Sequence, residues 1–368
     1  MRVLFYNTRL DSLTRWGGDT TQLTETQREL EKLGVRVVCN QERLPDLDGY
    51  DIVHIFILQL AENGVELAQR AKSRGLGVAL SSIFWDFSYI ARSPESMLFS
   101  DDAVVRALAR ISSSVGFLYT RLRTRLGRRT RRLLRAQRRL LEIADVVLPN
   151  SYAELEILVQ QFRIPQLRAK AFVVPNGVTV SEEDGSKLHD YWPELPDRYV
   201  LQAGSCHPVK GQAKVIRALL SDRDVPIVFV GANWDETRYG RWCQQIGKER
   251  GNTFFIGKVR HDLMPVLYSH AVVHVLPSLR ESPGLASLEA AIYGANCVVS
   301  IHCPVAEYFG NDAFVCDPDD LRSIRDAVLQ AWTHLPISAL RSRIVSLFTW
   351  RRAAECTYHG YKQCRVLI

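Results

Sequence analysis

Short, continuous apolar runs alternate along the chain with longer segments of helical period. The first half holds "RVLFYNT", "VRVVC", "DIVHIFI", "GVALSSI", "DVVLPNS" and "AFVVPNG", with amphipathic stretches such as Thr21–Leu33 and Tyr152–Phe162 between them. The second half repeats the arrangement with "YVLQAGS", "PIVFVGA", "TFFIGKV", "VVHVLPS", "NCVVS" and "AFVCD", each followed by a helical segment. Strands that are apolar along their whole length and separated by helices belong to parallel sheets covered on both faces. Six candidates in each half predict an α/β protein of two doubly wound, Rossmann-like domains rather than one barrel. The polar stretch Thr179–Asp197 is the expected linker between a first domain over 1–180 and a second over 198–349. Such sheets bind ligands at the carboxyl ends of their strands, so the two domains are expected to face each other across a cleft that holds the active site.

Composition narrows this picture without changing it. The 368 residues are 46% apolar and 24% charged, enough for two cores, and no low-complexity tract interrupts them. No run of eighteen apolar residues is present to span a membrane. "MRVLFYN" reads directly as a strand rather than a leader, so a cytoplasmic protein is expected. The eight cysteines are scattered with no C-x-x-C pair, which suggests neither a zinc cluster nor a disulfide framework.

Three stretches carry candidate chemistry, each where a strand gives way to a helix. In "LRESPGLASLEAAIYG", Ser282 and Pro283 form an N-cap and first-turn pair, so the helix is expected to begin there. On its wheel Leu285, Leu288, Ala291, Ile292 and Ala295 make one stripe, with Glu289 at the edge. A carboxylate so near a core is costly unless partnered. Gly284 permits close backbone approach, and amides at a helix start favour a phosphate. Glu281 stands just before the turn. The alternative is that Glu289 makes a structural salt bridge and Glu281 is a solvated loop residue. In "LQAGSCHPVKGQAKVIRALL" a strand ends at Gly204, and Lys210-Gly211 opens the next helix, where a lysine could neutralise an anionic leaving group or simply lie in solvent. In "RLDSLTRWGGDTTQLTETQREL", Gly17 and Gly18 precede the first helix in a phosphate-approach geometry. They do not form G-x-G-x-x-G, so a nicotinamide site is weakly supported.

Taken in order, these stretches resemble the family 4 retaining glycosyltransferases of GT-B fold. Glu281 and Glu289 match the E-x7-E signature, with Gly284-Leu285 between them. The resemblance runs on through "EAAIYGANCVVS", the Gly204/Lys210-Gly211 loop, "VVPNGV", "FFIGKV", the Gly17-Gly18 loop and "FTW" at Phe348. It implies transfer of a sugar, with retention, from a nucleoside-diphosphate sugar (a UDP-sugar first) to an acceptor glycan. Glu289 would bind the donor ribose, while Glu281 would hold a hydroxyl of the donor sugar beside Ser282 and the backbone of Gly284 and Leu285. Lys210 would stabilise the departing diphosphate near Gly204. The backbone at Val259 would meet the base, and Gly17 and Gly18 would close on the phosphates or the acceptor. A segment from about Trp350 would cross back to the first domain. A diphosphate leaving group needs positive charge where its own charge develops. Lysine plus oriented amides can supply it, so no metal and no cofactor is implied. "DPDD" at Asp317–Asp320 is accordingly read as a helix cap rather than a metal motif.

The sequence departs from the family at two places. The family arginine after the glycine of the lysine loop is Ser205 here, with His207, Arg260 and Arg280 as candidate substitutes. The family histidine after the fourth strand is missing from "SSIFWDF", which places Asp86 or Trp85 there. His54 in "DIVHIFI" is a further candidate polar group on the acceptor side, against the plainer reading of a satisfied structural histidine.

The net charge of +7 is concentrated between Arg121 and Arg139, where ten arginines stand with no acid. Leu118, Leu122, Leu126, Leu133 and Leu140 recur through this block at helical spacing. A basic amphipathic helix can lie on an anionic membrane surface, which would make a lipid-linked acceptor and cell-envelope polysaccharide or glycolipid synthesis the leading setting. The alternatives are a solvated helix whose leucines pack on the first domain, and nucleic-acid binding, which the absence of interleaved aromatics disfavours. Rival functions on the same fold are a nucleotide-sugar epimerase, a phosphorylase, or a non-catalytic membrane-associated adaptor.

Overall fold

A computed structural model of the chain describes residues 1–10, 17–84, 93–100, 102–112, 114–119, 127–180 and 187–364. Two compact units result. The first comprises Met1–Asp86, Leu122–Gly177 and Phe348–Ile368; the second comprises Phe87–Arg121 and Val178–Leu347. The expected boundary is therefore corrected in one respect: residues 87–121, placed by sequence in the first domain, group with the second unit.

In the first unit, β1 (Arg2–Asn7), β2 (Arg36–Cys39), β3 (Ile52–Phe56), β4 (Gly77–Ser81) and β5 (Val146–Val147) form one parallel sheet in the order β2-β1-β3-β4-β5. The residues of β3 and β4 are all buried, as strands covered on both faces must be. The sixth predicted strand, "AFVVPNG", is not one: Ala171 makes a single isolated bridge with Val147. Its neighbour β5 is only two residues long, and Pro149 and Pro175 lack the amides a continuing ladder needs.

Helix Tyr152–Phe162 forms where its period predicted, capped by the Ser151 side chain, which accepts from the Glu154 amide. Helix Trp350–Tyr361 belongs to this unit, with the Thr349 side chain capping it by accepting from the Arg352 amide. Gly177 lies against its first residue so closely that a Cβ there would sit 2.2 Å from the Trp350 nitrogen.

The arginine block lies partly outside the described residues. Its described part begins with helix Arg128–Ile143, which buries Gln137, Leu140 and Leu141 against the first unit. Leu118 lies in the second unit and is 55% exposed, so the five-leucine stripe is broken; Leu122 and Leu126 lie outside the described residues. Arg128, Arg129, Arg131, Arg132, Arg135, Arg138 and Arg139 are exposed. No helix among the described residues is long and apolar enough to cross a membrane.

In the second unit, β6 (Tyr199–Ala203), β7 (Ile227–Val230), β8 (Thr253–Ile256), β9 (Ala271–Leu276), β10 (Asn296–Ser300) and β11 (Phe314–Cys316) account for all six predicted strands. They are parallel, in the order β11-β10-β9-β6-β7-β8. The chain runs outward from β6 through β7 and β8, then returns to β9 on the other side of β6. That reversal is a topological switch point, where loops diverge and leave a crevice at the strands' carboxyl ends.

Candidate active site

The switch point of the second unit gathers the residues the sequence singled out. From the end of β6 the chain passes Gly204 and Ser205, makes a 3-10 turn over Pro208–Lys210 and enters helix Gln212–Ala218. Gly211 joins them at φ +74°, a left-handed conformation, and a Cβ there would stand 2.9 Å from the Pro277 carbonyl oxygen. From the end of β9 runs "PSLRESPG". The Leu279 amide donates to the Val209 carbonyl at 2.9 Å, and the Gln202 side-chain amide donates to the Lys210 carbonyl at 2.7 Å. The backbone bond joins the two loops, and the side-chain bond ties the lysine loop back to β6.

Lys210 and Glu281 meet in that crevice as an ion pair between Nζ and Oε1. Glu281 is buried, at 8% exposure, and its Oε1 also accepts from the Ser278 hydroxyl at 2.9 Å. A carboxylate so enclosed persists because it is paired and hydrogen-bonded. The solvated-loop reading of Glu281 is thereby excluded. Helix Leu285–Ile292 begins later than expected, with Gly284 at the cap position (φ +90°) and Ser282-Pro283, joined by a cis peptide, in the preceding loop. The reason is local: a left-handed Gly284 cannot lie inside a right-handed helix, so the helix starts after it.

Glu289 lies one turn into this helix. Its Oε2 accepts from the Tyr268 hydroxyl at 2.8 Å, and its Oε1 lies 3.3 Å from His261 Nε2. Its side chain keeps 17% exposure. Burial raises the Tyr268 phenol well above its ordinary range, so it stays protonated and donates. Glu289 is therefore neither buried without partners nor tied to a lysine or arginine. Tyr268 holds one oxygen and His261 approaches the other, while the side chain stays reachable from solvent. Val259 is half-buried beyond β8, two residues before His261.

Beneath these groups lies a residue the sequence reading missed. His274 on β9 is fully buried; its Nε2 accepts from the Ala203 amide at 3.4 Å, so in that tautomer Nδ1 donates to Ser287 Oγ at 3.2 Å. Desolvation, aided by the Lys210 charge, lowers its pKa to about 3, which keeps it neutral beside the lysine. Ser278, Tyr268 and His261 were missed as well. Only their spacing from strand ends could have flagged them.

Other predictions resolve differently. His54 is removed from the acceptor side: it is wholly buried, with Nδ1 2.7 Å from the Tyr361 hydroxyl and Nε2 2.9 Å from Ser81 Oγ. Burial lowers its pKa to about 3. Asp86 and Trp85 lie outside the described residues. Gly17 is the cap residue of helix Gly18–Lys32, beside a polar cluster in which Arg9 donates to Asp19 and to the Thr20 hydroxyl, and Asn7 reaches Asp19 at 3.4 Å. Of the substitutes for the family arginine, Arg260 is bound to Asp262, and His207 Nδ1 accepts from the Val209 amide at 3.2 Å. Arg280 is half-buried next to Glu281. Asp320 does cap a helix, accepting from the Arg322 amide, and Asp319 pairs with Lys214.

This constellation lies within the stretch that comparison with known families singles out. Residues 191–340 match the family of group 1 glycosyl transferases. The O-antigen chain mannosyltransferase B of Escherichia coli is 26% identical over 175 residues, 45% of each chain. An uncharacterized glycosyltransferase of Methanocaldococcus jannaschii is 26% identical over 222 residues, 55% of each chain. The similarity thus spans about half the length of these curated relatives. Among solved structures, a sucrose-phosphate synthase from Thermosynechococcus elongatus superposes with a TM-score of 0.72 at 15% identity over 99% of both chains. Anabaena HepE, solved in complex with UDP and glucose, gives 0.70 at 17% identity over 98% of this chain and 99% of that one. The fold is GT-B. The family match and the mannosyltransferase relatives support a glycosyltransferase family, and the group 1 segment contains every residue of the switch-point cluster described above.

Proposed function

We propose that the protein is a retaining glycosyltransferase that moves a sugar from a nucleoside-diphosphate sugar to an acceptor glycan. The observation that carries this reading is the convergence of Lys210, Glu281 and Ser278 at the β6/β9 switch point, with Glu289 presented half-open one helix turn away. Lys210 offers the positive charge a diphosphate leaving group needs in the transition state. A donor phosphate competes with Glu281 for that ammonium, and the released carboxylate then accepts a hydroxyl of the donor sugar. Glu289, already steered by Tyr268, accepts from the ribose hydroxyls, and the backbone at Val259 faces the base. Ser282, Gly284 and Leu285 line the sugar side, and Gly204 lets phosphates approach the end of β6. Gly17 and Gly18, with Arg9 beside them, are assigned to the phosphates or the acceptor. Because Lys210 and oriented backbone amides supply the positive charge that the diphosphate needs in this scheme, the reaction is proposed to need neither metal nor cofactor.

Relatives named as mannosyltransferases, one of them of the O-antigen chain, make mannose and envelope polysaccharide the first sugar and setting to test. The exposed arginines of helix Arg128–Ile143 favour a peripheral position on an anionic cytoplasmic membrane face, with a lipid-linked acceptor.

Titration calorimetry with UDP, GDP, ADP and CMP, each without and with added magnesium, tests the donor reading. Preference for one diphosphate, UDP first, is expected at equal affinity in both conditions. Binding to none would overturn the transferase reading in favour of an adaptor. An absolute requirement for magnesium would overturn the metal-free one. Turnover of a nucleotide sugar without acceptor would instead favour an epimerase.

A further inference from the structure

We propose a second anion site in the second unit, built for a small organic phosphate and separate from the Lys210–Glu281 crevice. A cavity of about 600 Å³ lies among helices Pro94–Leu98 and Ala103–Ile111, the Cys206–Pro208 stretch and the start of helix Arg238–Arg250. Lys210, Glu281 and Glu289 do not line it. Three arginines do: Arg106, Arg238 and Arg241.

Two of these arginines, Arg106 and Arg241, are held by carbonyl oxygens rather than carboxylates. Arg106 Nη1 donates to the Ser100 carbonyl, and Arg241 Nη1 donates to the Asp235 carbonyl at 2.6 Å. Carbonyl oxygens orient a guanidinium without cancelling its charge. Elsewhere in the same unit arginines meet carboxylates, as Arg217 meets Glu95 at 3.2 Å and Arg325 meets Asp222 at 2.7 Å. Among the described residues no such pair forms for Arg106, Arg238 or Arg241, and the lining sets these three against the single carboxylate of Glu236.

The rest of the lining suits an anion with an organic body. Thr237 caps the thirteen-residue helix by accepting from the Gly240 amide at 2.9 Å, so the positive end of that helix opens at the cavity. Ser96 lines the cavity, and its Oγ, buried just behind the wall, has no hydrogen-bond partner. Phe99 and Tyr239, in edge contact at 5.3 Å, supply an aromatic wall. Forked guanidiniums match the oxygens of a phosphate or a carboxylate two at a time, and three of them against one carboxylate favour the more highly charged phosphate. A cavity of this size accommodates a small metabolite rather than a polymer.

The test uses the whole chain and inorganic pyrophosphate at about 0.15 M salt, by calorimetry, with ribose 5-phosphate as the organic probe and phosphatidic acid vesicles as the lipid arm. Wild type is expected to bind two pyrophosphates. Lys210→Gln should retain the cavity site, whereas Arg238→Gln combined with Arg241→Gln should weaken it by about tenfold or more. Arg106→Gln, on a different segment, should repeat that loss, and an unchanged unfolding midpoint would show that both variants are folded. A single isotherm removed by Lys210→Gln, or cavity-site affinity indifferent to all three arginines, would overturn the proposal. So would binding to the vesicles without binding to the free phosphates. Only the pyrophosphate expected at Lys210 rests on the transferase reading; the arginine variants test the cavity site whether or not a nucleotide binds.

Discussion

At the scale of single residues, two glutamates eight positions apart do different work because their surroundings differ. Glu281 is enclosed, and Lys210 and Ser278 satisfy it. Glu289 is steered by a neutral phenol and remains reachable, as a group that must accept hydroxyls from a ligand should be. Glu289→Ala is therefore expected to remove a charged hydrogen bond of about 1.5–3 kcal/mol and to weaken nucleoside-diphosphate binding about 10–150-fold in calorimetry. Tyr268→Phe, which leaves the carboxylate but frees its Oε2, should cost less, about threefold to tenfold. Equal losses in the two variants would count against Glu289 as the direct contact. The E-x7-E spacing made both glutamates visible in the sequence. Nothing in the spacing identified Tyr268, which reaches Glu289 from another helix, or His274, which underlies the loop from the adjacent strand.

At the scale of elements, the lysine loop depends on one backbone conformation. Gly211→Ala places a Cβ in the left-handed region and against the Pro277 carbonyl at 2.9 Å. A destabilisation of about 1–3 kcal/mol is expected in thermal or denaturant unfolding, together with a loss of turnover, because the same strain displaces Lys210. Retained stability and activity would show that the loop relaxes freely. The arginine helix separates into two faces: Leu140 and Leu141 enter the core while the arginines stay outside. Replacing Arg128, Arg129, Arg131, Arg132 and Arg135 with glutamine should abolish co-sedimentation with anionic vesicles and leave the melting temperature nearly unchanged, at about 1 kcal/mol of membrane attraction lost per residue. Wild-type binding should also weaken as salt rises. Binding that ignores lipid charge would remove the membrane reading and leave a solvated helix. The alternation of strand and helix was legible because buried parallel strands are apolar throughout. The failed strand at Ala171 was not, since its missing ladder reflects a two-residue partner and flanking prolines rather than its own composition.

At the scale of the whole molecule, each unit contains one fully buried neutral histidine, His54 in the first and His274 in the second, each with a pKa lowered to about 3. In the unfolded chain these side chains titrate near 6.5. Between about pH 6.5 and 3 the unfolded state therefore binds more protons, so this contribution to stability is complete above pH 6.5 and is lost as pH falls. The slope is about 1.4 kcal/mol per pH unit for each histidine. Denaturant unfolding at pH 7 and pH 5.5 should show the decline, and His54→Gln should flatten it for the first unit alone. A variant with the wild-type slope would show that His54 charges within the fold. The plainer sequence reading of His54, a satisfied structural histidine, is the one its partners bear out, whereas His274 drew no notice because a histidine in an apolar strand looks the same whether its nitrogens find partners or a ligand.

The two doubly wound sheets, the strand–loop–helix positions of Lys210, Glu281 and Glu289, and the concentration of positive charge can be read along the chain alone. All of these follow from local periodicity, residue chemistry and spacing. Only the tertiary structure decided that residues 87–121 join the second unit, that His54 is sealed beneath Tyr361, and that three arginines from distant segments line one cavity. The physical reason is that burial and partnership depend on which distant segments come together, and a pattern read along one chain carries the period of its elements but not the identity of their neighbours.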